Sequence, residues 1–429
     1  MSGKLKRICL CITAAALMLF AFSACTDRDI FSREGRLVLM VGEGAVPAFE
    51  QMARDFTAET GVPVRVVGFS GLSASDRLAL DGPLGRGQDI YLQGVGGDLA
   101  QAVERGLFLR LDPDDFADKG ILEQAKELYF IQGNMYGVPL GLETYAIVYN
   151  RAFFPNGIPA TWTEFEQQAL AINHGLLGAP ASRRFGFLMD VTNPFFTNAF
   201  VEAHGGFIFE RNEDGSWNPQ SLGIDTQATR NAYEFLRSNL ERQVIASRER
   251  AANALMNVET MGNLFRNRQV GALLDGPWSI PRHRQAGIDV GVARIPAVDV
   301  GGEYRTPIAY SGAFGLAISA YSLNPELSVQ FLQFAMRTEN VMRYNQLVGR
   351  LPAVEFDENV FELDPAVSGF LQQIPYSVPQ PNISQFEAIW NPLITAANQI
   401  FLPSNWGNPV GPPLVTAQQT IESQINVFG

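Results

Sequence analysis

Short apolar runs alternate with helically spaced apolar residues through the first hundred positions of the folded chain. Leu37-Val38-Leu39-Met40-Val41 is an unbroken apolar run closing at Gly42, the pattern of a strand buried on both faces. Phe49, Met52 and Phe56 then recur at three- and four-residue intervals, marking one face of a helix that Thr60-Gly61 stops. Val62 to Phe69 is β-rich again, so the unit reads strand–helix–strand and favours a parallel sheet covered by helices. Asp89-Ile90-Tyr91-Leu92 repeats the strand signal, followed by a helix through Leu99 and Val103 that ends at Gly106.

Beyond Tyr136 the same order returns with new material. Tyr145 to Tyr149 is β-like, and Thr161-Trp162-Thr163-Glu164 is a capping box, hydroxyl and carboxylate each satisfying the other residue's free backbone N–H. Trp162, Phe165, Ala169 and Ile172 line the face of the helix that follows. Tyr233, Leu236 and Leu240 mark another helix, with Asp225 as its expected cap, and Gly271 to Leu274 is a strand entering Asp275-Gly276-Pro277-Trp278. Asn324-Pro325 opens a helix whose inward face is Leu327, Phe331 and Phe334. The tail from Pro375 is dense in Pro, Asn and aromatics, which predicts loop-rich chain hugging the surface. No fixed-period repeat is visible. The pattern predicts an α/β fold in two lobes.

The N-terminus stands apart. Lys4-Leu5-Lys6-Arg7 precedes an apolar run from Ile8 to Phe22, then Ser23-Ala24-Cys25. That is a secretory signal with a small-residue cleavage site. It resembles a bacterial lipoprotein signal, which implies that residues 1–24 are removed and Cys25 receives a lipid tethering the chain to a membrane. Phe22 departs from that pattern, where Leu is commoner. A plain secretory signal and a single spanning helix are the other readings, although a 15-residue run is short against the about 20 a span needs. Residues 25–35 then form a polar tether.

Cleavage leaves about 405 residues, too many for one compact core, which again argues for two lobes. Cys9 and Cys11 leave with the signal, so stability rests on packing and not on disulfides. Losing Lys4, Lys6 and Arg7 takes the formal charge of −12 three units further negative, which argues against nucleic acid as a partner. Thirty Phe, eleven Tyr and five Trp supply abundant flat apolar surface for core and ligand alike.

Four blocks in order resemble an extracellular solute-binding protein of a sugar ABC importer, most closely the maltose/maltodextrin-binding branch. The first is Met135-Tyr136-Gly137-Val138-Pro139 with Glu143-Thr144-Tyr145, Val148-Tyr149-Asn150-Arg151 and Pro159 to Glu164. The second is Asn193-Pro194-Phe195-Phe196-Thr197 with Gly205 to Phe209. Asp275-Gly276-Pro277-Trp278 with Val292 to Pro296 is the third; Gly349 to Ala353, Val378 to Ile383 and Trp390 make the fourth. The resemblance implies two α/β lobes joined by a multi-stranded hinge, with sugar in the interlobe cleft. It places residues 36–142 plus 311–353 in an N-lobe and 146–308 plus 357–429 in a C-lobe. The hinge crossings fall near Gly141–Tyr145, Ile308–Gly312 and Leu351–Asp357.

A pyranose presents hydroxyls at its rim and C–H groups on its faces, so it calls for aromatic plates with polar groups at their edges. The resemblance implies Trp278 and Trp390 as plates, then Phe195 and Phe196; Phe195 stands where tyrosine is commoner, which forfeits one hydroxyl contact. A carboxylate at Glu143 can accept two hydroxyl hydrogen bonds. Glu43 occupies the loop where the family sets an Asp or Lys on the sugar. Gln93 lies in the next strand-end loop, where the maltodextrin branch often carries a Trp and an Asp-Arg pair that this chain lacks. Asn193 stands where a carboxylate is usual, and Gln380 replaces a common Met. Residue types alone equally allow Trp278 and the phenylalanines to be core.

His174, His204 and His283 are widely spaced, without metal-ligand spacing, and read as surface or satisfied structural residues; no metal and no cofactor is expected. Gly94-Val95-Gly96-Gly97 lacks a following Lys-Ser/Thr and reads as a turn. The expected function is a lipid-anchored, monomeric sugar receptor that hands an oligosaccharide to an ABC permease and performs no chemistry. A secreted glycoside hydrolase with two carboxylates, a binding protein for another sugar, and a surface adhesin remain as alternatives.

Overall fold

The computed structural model describes residues 35–70, 73–175, 182–249, 254–357 and 359–428; the signal segment and Cys25 lie outside them. The principal elements begin with β1 (Leu37–Gly42), α1 (Val46–Thr60), β2 (Val64–Phe69), α2 (Ala74–Asp81), β3 (Ile90–Gly94) and α3 (Gly97–Glu104). They continue with β4 (Val138–Glu143), β5 (Ala146–Asn150), α4 (Trp162–Ile172), β6 (Phe185–Leu188), α5 (Pro194–Ala203) and α6 (Gln227–Glu241). Next come β7 (Val270–Asp275), α7 (Ile280–Gln285), β8 (Val290–Ala293), β9 (Ala309–Ile318), α8 (Pro325–Ala335) and α9 (Thr338–Val348). The chain closes with β10 (Leu351–Pro352), β11 (Ser377–Pro379), α10 (Trp390–Phe401) and α11 (Gly411–Phe428).

The first sheet has the order β10-β4-β9-β3-β1-β2, with β11 joined to the start of β9. β1 pairs in parallel with both β2 and β3, as a strand–helix–strand chain requires. β9 returns antiparallel between β3 and β4. In this register Gly42 faces Phe69, Phe314 faces Gly94 and Gly312 faces Glu143, so four strands finish and β9 begins on one edge. The second sheet runs β8-β5-β7-β6. Its β7 and β6 are parallel and end together, with Asp275 opposite Ala146 at the start of β5.

Only Thr144 and Tyr145 separate β4 from β5, so the two sheet edges face one another across a very short connection. β9 locks that connection: Thr144 Oγ1 donates to the Tyr310 carbonyl at 3.0 Å, and Tyr145 Oη accepts the Tyr310 N–H at 3.2 Å. The first lobe packs Phe56 of α1 against Phe331 and Phe334 of α8 at 5.1 and 5.3 Å between ring centroids. In the second lobe Trp162 contacts Phe165, Phe187, Phe200 and Phe235, and its indole N–H donates to Asn239 Oδ1 at 2.9 Å.

Several sequence expectations change. At α4 the Glu164 N–H donates to Thr161 Oγ1 as expected, but the Glu164 carboxylate accepts the Thr161 hydroxyl and not a backbone N–H. Thr226, not Asp225, caps α6; Asp225 pairs with Arg230 instead. The tail from Pro375 is mostly helix. Leu393, Ile400, Leu414, Ile421 and Ile425 sit in the second lobe's core, because Pro392, Pro412 and Pro413 fall in first turns, where proline removes no intrahelical bond. His283 is buried and not exposed: it is 1 % exposed, neither ring nitrogen has a hydrogen-bond partner among the described residues, Nε2 stands 3.9 Å from Asp275 Oδ2, and its ring rests on Phe265.

Candidate functional site

Strand ends supply the polar floor. Glu143, last residue of β4, is 9 % exposed and accepts a 3.1 Å hydrogen bond from Arg350 Nε onto Oε2. Arg350 lies 4.1 Å above the Phe314 ring. Burial opposes the Arg350 charge, but neighbouring Tyr344 and Glu143 outweigh it and hold its pKa above the ordinary value. Burial pushes the Tyr129 and Tyr344 hydroxyls up, keeping both neutral, and Tyr129 donates to the Gln93 carbonyl at 2.6 Å. Gln380, held by its N–H on the Ser311 carbonyl, reaches the same floor. Its Nε2 and Glu143 Oε1 stand 3.2 and 3.4 Å from the place a β-carbon on Gly312 would take.

The second lobe presents a run of aromatic rings. Asp275 Oδ1 accepts the Gly276 N–H at 2.8 Å and fixes the turn leaving β7. The Trp278 ring then folds directly over Gly276, where any β-carbon would collide with it. Trp278 meets Phe195 at 6.2 Å, and Phe195 stacks with Tyr310 at 6.2 Å and 30°. Tyr310 meets Phe386 at 5.9 Å, and Phe386 meets Trp390 at 5.3 Å. Three intervening rings thus join two indoles that are more than a hundred residues apart in sequence. Trp278, Phe195 and Trp390 are half-buried, whereas Tyr310 and Phe386 are buried. Asn193, with no charge to offer a ligand, accepts the Phe195 N–H at 3.0 Å as the cap of α5.

The remaining expected residues part company. Phe196 is 3 % exposed and packs edge-on against Tyr145, so its ring faces the core and not the cleft. Gln93 is 1 % exposed, with Nε2 donating to the Gly94 carbonyl and to Asp98 Oδ2, so its amide holds the start of α3. Glu43 is exposed on the turn after β1, at the cleft-facing edge. Sequence reading missed Arg350, Tyr310, Phe386 and Glu387. Arg350 stood inside a quoted block, and Glu387 lies three residues before Trp390, one helical turn away. Among the described residues no group of three or more His, Cys, Asp or Glu is placed to hold a metal ion, and no helix is long and apolar enough to cross a membrane.

Strand ends from two α/β lobes, turned on one another across a short multi-stranded connection, define a two-lobed ligand-capturing protein. Residues 51–355 match the family of bacterial extracellular solute-binding proteins, and the chain belongs to that family. The galactooligosaccharide-binding protein of Bacillus subtilis is 24 % identical over 92 % of this chain and 93 % of its own. The maltodextrin-binding protein MdxE of the same organism is 25 % identical, covering 88 % and 89 %. Among solved structures, a cyclo/maltodextrin-binding protein complexed with maltotetraose superposes with a TM-score of 0.76 at 25 % identity, covering 92 % of this chain and 98 % of that one. The Thermus thermophilus maltotriose-binding protein shares the fold with a TM-score of 0.77 at 24 % identity, covering 91 % and 100 %.

Proposed function

We propose that this chain is the extracytoplasmic sugar receptor of an ABC importer. It captures maltose- or maltodextrin-type oligosaccharides by closing its lobes and delivers them to the permease without breaking a bond. The observations carrying this reading are the aromatic run from Trp278 through Phe195, Tyr310 and Phe386 to Trp390, and the Glu143–Gln380 pair that flanks Gly312, two residues on from Tyr310. Flat rings offer faces for pyranose C–H groups, and the floor offers edge hydrogen bonds. In this reading Trp278, Trp390 and Phe195 stack, Glu143 Oε1 and Gln380 accept or donate to hydroxyls, and Glu43 closes from the opposite wall. The lobes are residues 36–142 plus 311–353 and 146–308 plus 357–429. Cys25 carries the lipid, and the receptor acts as a monomer. Arg350 already occupies Oε2 of Glu143, an arrangement that suits holding a ligand better than a hydrolytic carboxylate pair.

The galactooligosaccharide-binding relative favours a second sugar class. Isothermal titration against maltose, maltotriose, trehalose, sucrose and a galactooligosaccharide separates the two. Heat with maltotriose alone supports the proposal, and heat with only the galactooligosaccharide replaces the sugar. Shorter products after incubation with maltotriose would overturn the binding reading in favour of a hydrolase.

A further inference from the structure

The turn that carries Trp278 is tied by hydrogen bonds at both ends. At its start Asp275 Oδ1 accepts the Gly276 N–H at 2.8 Å. At its end Ser279 donates to the Gly276 carbonyl, through its N–H at 3.1 Å and its hydroxyl at 2.8 Å. The second oxygen of Asp275, a carboxylate 5 % exposed at the end of β7, faces His283 on α7, with Oδ2 3.9 Å from Nε2. Phe265 covers the imidazole at 4.6 Å between centroids, and neither ring nitrogen has a hydrogen-bond partner among the described residues. A buried polar group left unpartnered is costly, and such groups call for an explanation. The other charged groups on the elements packed against α7 are engaged or solvated. On the helix Val258–Arg266, Glu259 is exposed and Arg266 donates to Asn263 Oδ1 at 2.6 Å. On α7 itself Arg282 is exposed and Arg284 pairs with Asp364 at 2.7 Å. Just past α7, Arg268 donates to the Ala286 and Gly287 carbonyls, and Asp289 lies 3.4 Å from Arg151. The Pro277–Ser279 turn and β8 carry no ionisable side chain. Asp275 is thus the carboxylate that answers a charge on His283.

We propose that His283 is a positioning residue of the ligand wall: it gives Asp275 Oδ2 a donor, steadies the turn that presents Trp278, and does so most firmly when protonated. The inference rests on reading Trp278 as a sugar-stacking plate. A separation of 3.9 Å exceeds a hydrogen bond, so the uncharged ring leaves Oδ2 unanswered. A proton on the ring makes both nitrogens donors and turns the contact into attraction between opposite charges. Bringing Nε2 to hydrogen-bond distance takes a shift of about 1 Å, within reach of side-chain rotation. The carboxylate then holds His283 with one oxygen and the Gly276 N–H with the other, and cannot swing away from the turn. Trp278 follows the turn closely, because its ring lies over Gly276 and meets Phe195 at 6.2 Å. A steadier turn sets the plate in place before sugar arrives, which lowers the ordering cost of binding. Histidine is the side chain that gains its charge between about pH 8 and about pH 5, so the brace makes sugar affinity respond to the acidity outside the cytoplasm.

Two measurements test the brace, one of them without sugar. Tryptophan fluorescence of the free protein at about pH 5.5 and about pH 7.5 reads the surroundings of Trp278, and Trp278→Phe identifies its share among the five tryptophans. The Trp278 signal of the wild type is expected to change between the two pH values. His283→Phe, which keeps a ring against Phe265, is expected to abolish that change. By isothermal titration the wild-type Kd for maltotriose should be about threefold lower at the acid pH, whereas His283→Phe should bind about threefold more weakly there and show no pH response. His283→Gln supplies a donor with no charge to gain, so it should recover most of that affinity and stay flat with pH. A pH response that His283→Phe retains, or that the wild type lacks, overturns the brace. If the wild-type chain ignores maltotriose at both pH values, the sugar reading fails by itself, and the fluorescence then decides the brace alone.

Discussion

Replacing Arg350 by methionine leaves the Glu143 carboxylate buried at the floor with its strongest partner gone. The pair is close, at 3.1 Å, and enclosed, with side-chain exposures of 15 % and 12 %. At roughly 4 Å between charge centres and an effective dielectric of about 20, the lost attraction is about 4 kcal/mol. Residual solvent at Oε1 returns part of it, so a net loss of about 2–3 kcal/mol is expected, at the lower end for a broken buried pair. Methionine keeps the apolar stem over Phe314, so the change isolates the charge. Urea unfolding followed by circular dichroism reads it as a midpoint fall of about 1 M, taking a slope near 3 kcal/mol per molar for a lobe of this size. The double variant Glu143→Gln with Arg350→Met removes both charges and should recover to within about 1 kcal/mol of wild type. A single variant costing under about 1 kcal/mol, or a double variant no better than the single, would refute the pairing argument.

Trp278→Ala and Trp390→Ala should each weaken maltotriose binding about 10- to 100-fold by isothermal titration, and a change below twofold in both removes the stacking proposal. Phe196→Ala should instead cost about 3–5 kcal/mol of stability in urea, because its ring is core; a stable protein with weakened binding would reverse that assignment. Burial raises the carboxyl pKa values of Asp190 and Glu202, and that of Glu387 with help from Asp98. A raised carboxyl contributes stability below its unfolded value and loses it as pH rises through the folded value. Melting temperature should therefore climb as pH falls from neutrality towards the unfolded carboxyl value of about 4. His204, lowered by burial, opposes this below about 6.5. Scanning fluorimetry should show the rise flattened in Glu202→Gln, and a steady fall in melting temperature across that window would contradict the assignment.

Much of the architecture was legible because each signal was local. The run at Leu37–Val41, the Phe49-Met52-Phe56 face and the strand into Asp275 each carry their own periodicity, and each became the element that periodicity predicts. The tail was misread because proline counts as a breaker in composition, whereas its effect depends on position within a turn. The caps show the same limit: spacing named Thr161 correctly, but for α6 it named Asp225 where side-chain geometry uses Thr226.

Sequence by itself settled the chain's alternation of strand and helix, its acidic charge, its reliance on packing and its wealth of aromatic residues. Those follow from which side chains leave water, a property each short segment carries alone. Tertiary structure decided that Phe195 stays half-exposed while its neighbour Phe196 turns to the core, and that Gln93 braces a helix. It also brought Arg350 to Glu143 and Glu387 to the first turn of α3, pairings more than two hundred residues apart in sequence. Such pairings depend on how distant strands such as β4, β9 and β10 register within one sheet, and register is a property of the whole fold that no local window of residues contains.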